Sequence, residues 1–312
     1  MKKIIITADD YCATPAINRG IRTAIDKGVI NSVAVLMNLP NSKSDLENLV
    51  ADYQTKIDSD KLQLGVHLTI SSGEPISSNV PSLLLPTPSK KLKPLDELNP
   101  QSINVLELKK EIDAQIDAFV QITGFKPLHL SVHHGTLTLF NNLFDIYIAA
   151  AKRHGTPIRN PIIISREKIQ GFKLWTKMQR TGLFTAFRLF DDNGIDLLWD
   201  QNKSVNVKEL RKILRDESPD LRSTQHFIDI YYGSGKARRL RRIMKHFPHD
   251  HNEMVVHLSN SHSESELNKV PHGVNPNYFK TRMLELDTLT REGLLDGHMQ
   301  EYGIQWGRWE DL

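Results

Sequence analysis

The adjacent aspartates Asp9-Asp10 and the histidines His67, His133 and His257 are the side chains of this chain best suited to chemistry. One carboxylate and two imidazoles form an oxygen/nitrogen set that can hold a divalent ion and leave positions open for water and substrate. Asp9-Asp10, His67 and His133 can supply that set, with either aspartate as the ligand. The spare carboxylate then stands where it can take a proton from an ion-activated water. Neighbouring carboxylates repel one another unless a cation neutralises them, which favours this division of labour. The single cysteine, Cys12, excludes a disulfide framework and any multi-thiolate zinc site, so His and carboxylate must hold any metal. Cys12 itself reads as a small buried residue, with a reactive or metal-proximal thiol as the alternative.

The acid pair ends an apolar run, Ile4 to Ala8, that reads as a buried strand, and Thr14-Pro15 then opens a helix. Three later strands end on histidines. In Leu64 to Thr69, Leu128 to His133 and Met254 to Leu258, alternate residues form an aliphatic row, and the histidine falls on the opposite face. His129, Ser131 and His133 share that second face. In a barrel covered by helices the second face is the interior, and strand ends there line the active-site rim. Each residue alone has a structural explanation, a hydrogen-bonded histidine or a helix-capping aspartate; their common placement at strand ends points to a shared site.

Strands and helices alternate along the chain. Ile17, Ile21, Ala24 and Ile25 form a helical stripe stopped by Gly28. Further strands are expected at Val33 to Met37, Leu62 to Ile70, Leu128 to His133, Ile158 to Ile164, His226 to Tyr232, Met254 to Ser259 and Ile304 to Trp306. Helices are expected at Glu107 to Gln121, Asn142 to Arg153, Val207 to Arg215, Lys236 to Lys245 and Tyr278 to Glu292. This is the rhythm of a parallel α/β sheet or barrel. Two stretches interrupt it, a Pro- and Ser-rich loop from Ser71 to Gln101 and an aromatic-rich insertion from Arg166 to Lys208 that carries Trp175 and Trp199. With no repeat or linker, the pattern predicts one domain over 1–312. His249, His251, His262 and His272 lie in polar segments and read as surface residues.

A chain of 312 residues, 39% hydrophobic and 25% charged, can bury a large core, and a net charge of +3 argues neither for nor against a polyanionic partner. The basic cluster Lys236 to Lys245 has apolar residues at helical spacing and reads as an amphipathic helix, so no nucleic-acid binding is expected. No apolar run spans a bilayer and no secretory signal is evident, so a cytoplasmic protein with no membrane partner is expected.

Ala8-Asp9-Asp10-Tyr11, Asn18-Arg19-Gly20-Ile21, Gly65-Val66-His67-Leu68-Thr69, His129 to His134, Ile158-Arg159 and Val255-Val256-His257 occur in this order across nearly the whole chain. In this the chain resembles the YdjC-like carbohydrate deacetylases, which include chito-oligosaccharide deacetylases. The resemblance implies a deformed (β/α) TIM-like barrel of the glycoside hydrolase/deacetylase type. It implies one divalent ion, magnesium or zinc before cobalt, nickel or manganese, held by Asp10, His67 and His133. It further implies Asp9 as catalytic base, His257 as the acid serving the leaving amine, and Arg159 as a residue orienting base or substrate. Family members are commonly homodimers that remove acetyl groups from N-acetylated mono- or oligosaccharides. The chain departs from the family's usual pattern at Tyr11-Cys12, where Phe-Gly is common, and at Ser131, Gly135 and Leu258-Ser259, where Asp, His and Pro-Gly are common. None of these departures removes an implied ligand. The alternatives are a glycoside hydrolase using two carboxylates, a phosphoesterase on a similar metal site, and a glycan-binding protein without turnover.

Overall fold

The computed structural model describes residues 1–138, 141–161, 212–228, 236–247, 250–261 and 278–312. Among the described residues seven parallel strands make one sheet: β1 (Lys2–Tyr11), β2 (Ser32–Val35), β3 (Gln63–Leu68), β4 (Leu130–Val132), β5 (His226–Ile228), β6 (Asp250–Val256) and β7 (Ile304–Trp306). Their order is β4-β3-β2-β1-β6-β5. β6 runs along one edge of β1, while the other edge pairs first with β7 at Lys2–Ile4 and then with β2 from Thr7. Two single-residue parallel bridges, Leu130 to Ile158 and Ile158 to Ser223, span the gap between β4 and the segment entering β5. The sheet is thus curled into the deformed TIM-like α/β barrel that the family resemblance implies.

Helices α1 (Pro15–Asp26), α2 (Ser42–Asp58), α3 (Val105–Thr123), α4 (Asn141–His154), α5 (Ala237–Lys245), α6 (Tyr278–Leu289) and α7 (Leu294–Tyr302) accompany the strands. α1 begins as its sequence dictates: Thr14 Oγ1 accepts from Ile17 N, and Pro15 occupies the first turn, where its missing N–H costs nothing. α3 begins at Asn104, whose side chain accepts from Leu106 N and Glu107 N, and it ends at Gly124 in the left-handed region. The outward row Ile4, Ile6, Ala8, Leu64, Val66, Leu68, Leu130 and Val132 joins the apolar stripes of the helices in one continuous core.

Several expectations are revised by the fold. α2 has no counterpart in the sequence reading; it buries only Ser42, Leu46, Leu49 and Tyr53, too sparse a stripe to announce a helix. β6 starts at Asp250 and ends at Val256, earlier than the predicted Met254 to Ser259, because its first half points polar groups such as Glu253 into the barrel. The predicted last helix stops at Leu289, and a separate α7 follows Gly293. His251 lies within β6 and is half-buried. The last three residues of the expected strand Ile158 to Ile164, the insertion Arg166 to Lys208, the start of the helix Val207 to Arg215, and His249, His262 and His272 lie outside the described residues. Ile213–Glu217, at the end of that expected helix, forms a single π turn. The segment 71–101 runs as a loop with short 3-10 turns, tied to α3 where Ser77 N and Ser82 N donate to Glu111 and Glu107.

The N-terminal end of the barrel is stoppered by the chain's last residues. The fully buried Trp309 stacks on His129 with ring centroids 4.5 Å apart, donates from its backbone N to Gln63 Oε1 and from Nε1 to Ser32 Oγ. Gly65 makes room for this layer, because a Cβ there would stand 2.3 Å from His129 Nδ1 and 2.5 Å from its carbonyl. Gly65→Ala is therefore expected to lower unfolding stability by about 2–3 kcal/mol, the scale of overpacking a tight core. A denaturant titration checks this; an unchanged midpoint would show that His129 yields easily.

Candidate metal centre

Adjacent residues of a regular strand face opposite sides, so Asp9 and Asp10 cannot both enter one site unless the strand is distorted. It is distorted. Register against β2 slips between Ala8 and Tyr11, and Asp10 takes φ +70°, which turns its carboxylate to the same side as Asp9. Cys12 follows at φ +77°, held by its N–H donating to Asn18 Oδ1 at 2.7 Å. Glycine would adopt that backbone without strain, so the usual family glycine is replaced here at a conformational cost. The Cys12 side chain is buried, its Sγ 3.8 Å from the Ser42 carbonyl, and burial pushes its pKa well up; it is a small packed residue. Asn18 and Gly20 of α1 thus have structural reasons: Asn18 fastens the turn, and a Cβ at Gly20 would meet the Ser259 backbone at 2.6 Å, just beyond His257.

The bulge, β3 and the end of β4 converge at the C-terminal mouth of the barrel. Asp10 Oδ1 lies 3.0 Å from His133 Nδ1 and 3.4 Å from His67 Nε2. Neither contact has hydrogen-bond geometry, so Oδ1 is a buried oxygen with no donor aimed at it. The three candidate ligand atoms lie within 4.8 Å of one another, and among the described residues this is the one such cluster of His, Cys, Asp or Glu. Donors about 2.0–2.1 Å from a tetrahedral ion stand about 3.4 Å apart, close to the spacings here. His67 Nδ1 is 2.7 Å from Ser131 Oγ, which fixes the ring with Nε2 toward the cluster. Ser131 thus provides an oxygen where Asp is common in the family. Donor chemistry, spacing and the orphaned Oδ1 all fit a divalent ion.

Asp9 sits beside this cluster, its Oδ2 3.7 Å from His67 Nε2. Arg159, just beyond the Ile158 bridge, donates from Nη1 to Asp9 Oδ2 at 2.7 Å and from Nη2 to Oδ1 at 2.8 Å. Burial pushes the Asp9 pKa upward, but the Arg159 guanidinium, helped by His67, outweighs it and holds the carboxyl at about 2. Burial likewise acts on Asp10 and is outweighed by His133 and Arg282, leaving it well below the usual range. His257 follows β6 at the same mouth. Burial, reinforced by Arg282, pushes its imidazole down to about 3, so it is neutral at neutral pH.

His129, on the same strand face as His133, is not part of the cluster. It stands four residues earlier, about 13 Å down the strand, at the stoppered end. His134 is exposed at the mouth with φ +54°, its ring against His133 and its Nδ1 3.0 Å from Ser71 Oγ. Two residues at the site escaped the sequence reading. Arg282 of α6 donates from Nη2 to Asp10 Oδ2 at 2.8 Å, leaving Oδ1 toward the histidines, and Glu285 Oε2 accepts from His257 N at 2.9 Å. Their signal was present: Phe279, Arg282, Glu285, Leu286 and Leu289 share the buried face of α6, so two charges stand on an apolar stripe.

Residues 3–296 match the model of a family described as YdjC-like protein. A carbohydrate deacetylase of Halalkalibacterium halodurans is 29% identical over 183 residues, 58% of this chain and 72% of that protein. Carbohydrate deacetylase 2 of Listeria innocua serovar 6a is 31% identical over 208 residues, 65% of this chain and 75% of that one. A crystal structure from Enterococcus faecalis V583, described as a candidate cellobiose-phosphate cleavage protein, shares the fold with a TM-score of 0.71 at 21% identity, covering 99% of this chain and 98% of the other. The matched stretch contains every residue gathered at the barrel mouth, from Asp9 to Glu285, and the chain belongs to the YdjC-like protein family.

Proposed function

We propose that this protein is a metal-dependent carbohydrate deacetylase that hydrolyses the amide of an N-acetylated mono- or oligosaccharide. The observation that carries the reading is the Asp10, His67 and His133 cluster with a second carboxylate, Asp9, beside it. The relatives named carbohydrate deacetylase support the substrate class. The family resemblance supports magnesium or zinc as the ion, and a homodimer.

Asp10, His67 and His133 would hold a divalent ion, which would supply Lewis acidity for the acetyl carbonyl and acidify water. Asp9 accepts the proton of the attacking water, with Arg159 keeping the carboxylate charged and aimed. Arg282 holds Asp10 by one oxygen, so that Oδ1 stays directed at the two imidazoles. His257 delivers a proton to the departing sugar amine. As a neutral imidazole in the resting protein, it has no proton of its own to spare, so the proton that it delivers is the one that Asp9 takes from the water and passes on.

The test is acetate release from N,N'-diacetylchitobiose by the purified protein, before and after chelation and after zinc or magnesium is restored. Release that stops on chelation and returns with metal is expected. Acetate release that survives chelation would sink the metal-dependent reading, whereas cleavage to N-acetylglucosamine without acetate would favour a two-carboxylate glycosidase.

A further inference from the structure

The clamp on Asp9 is itself clamped from below. Arg159 turns one edge of its guanidinium to Asp9 and the other to Glu253 Oε1, which accepts from Nε at 3.0 Å and from Nη2 at 2.8 Å. Glu253 has no solvent exposure and projects from β6 into the barrel, four residues before His257 on the same strand face and about 13 Å deeper. The Phe227 ring lies 5.0 Å from the guanidinium carbon and covers one of its faces. Asp9 at one edge, Glu253 at the other and Phe227 across the plane leave the fork a single orientation.

We propose that Glu253 is a positioning residue that aims Arg159, and through it Asp9, in the deacetylation reaction. The inference rests on reading Asp9 as the proton acceptor. Arginine has four rotatable side-chain bonds and two carboxylates at this mouth, Asp9 and Asp10, that could attract it. A bidentate hold on Asp9 needs the guanidinium plane fixed, and Asp9 alone fixes only the edge that it touches. The acceptor that fixes the far edge is Glu253 Oε1. Both hydrogen bonds from Arg159 go to this one oxygen.

The experiment compares Glu253→Met, of similar volume but with no oxygen acceptor, with Glu253→Gln, whose amide oxygen can replace Oε1. Each is measured for kcat and KM on N,N'-diacetylchitobiose and for bound metal, alone and in an Asp9→Asn background, and its crystal structure is determined. Glu253→Met is expected to lose about 100-fold in kcat, the scale of a misplaced catalytic group, with KM and metal content within about twofold of the parent. Glu253→Gln is expected to restore most of the loss. In the Asp9→Asn background the Met substitution is expected to cost nothing further, because the group that it misaims is already gone. An equal loss in both backgrounds, or unchanged kcat in Glu253→Met, overturns the proposal. Should Glu253→Met fail to fold, Glu253→Asp keeps the charge, withdraws the oxygen by one methylene, and is held to the same comparison. The crystal structures test the same point independently of turnover: Arg159 leaving its two-point contact with Asp9 supports the proposal, and an intact contact overturns it. A parent protein that releases no acetate would refute the functional reading, while the position of Arg159 in the variants would still decide whether Glu253 aims it.

Discussion

Replacing His67 by alanine is expected to strip the protein of its divalent ion and reduce acetate release to background. His67 provides the Nε2 that stands 3.4 Å from Asp10 Oδ1, and Ser131 holds its ring in that orientation. Without it the cluster keeps one carboxylate oxygen and one imidazole, and His133 is the more exposed of the two histidines. Two ligands in place of three give up the chelation that makes a buried site hold an ion against water. The measurement is metal per chain after dialysis, alongside turnover with metal in excess. Stoichiometric metal with full activity in this variant would refute the ligand assignment. Loss of both, with an unchanged thermal midpoint for the metal-free protein, would place the effect in the site.

Asp9→Asn makes the opposite split. Asp10 Oδ1 and both imidazoles are untouched, so the ion should stay, while kcat falls by about 10²- to 10⁴-fold, the usual contribution of general acid–base catalysis. That corresponds to about 3–5 kcal/mol of transition-state stabilisation. The substitution is nearly isosteric, and Arg159 retains its hydrogen bonds to Glu253, so the fold should tolerate it. Parallel assays of kcat and bound metal test this: retained metal with lost turnover separates a base from a ligand. Metal lost with turnover would make Asp9 part of the ion's own shell, and normal turnover would remove it from the chemistry.

The two variants also divide what was readable along the chain from what was not. The helix start at Thr14-Pro15, the stop at Gly124, the apolar stripe of α1 and the parallel α/β rhythm all follow from short-range rules, and each is found where the residues indicate. Strand parity separates the aliphatic row of β3 from His67, because a period of two is a local property of extended backbone. α2 lacked a strong periodic face, and the polar interior of β6 disguised its first half. The last residues offered no sign that Trp309 closes the barrel, since the partners that make it a stopper, Gln63, Ser32 and His129, lie far back in the chain.

From sequence alone come the residue types of the site, their placement at strand ends and the family. The tertiary structure decided how they meet. Two neighbouring aspartates face one site because the backbone bulges at Asp10, and the amino acids there do not announce a positive φ. Arg159, Glu253 and Asp9 form one clamp, and Arg282 reaches Asp10, across separations of up to 272 residues. His129 and His133 look equivalent by parity, yet one stacks on Trp309 at the closed end and the other faces Asp10 at the open mouth. Periodicity records which side of a strand a residue faces. Depth along the barrel and the partner waiting there depend on how distant strands are registered against one another, and that is settled only when the sheet curls on itself.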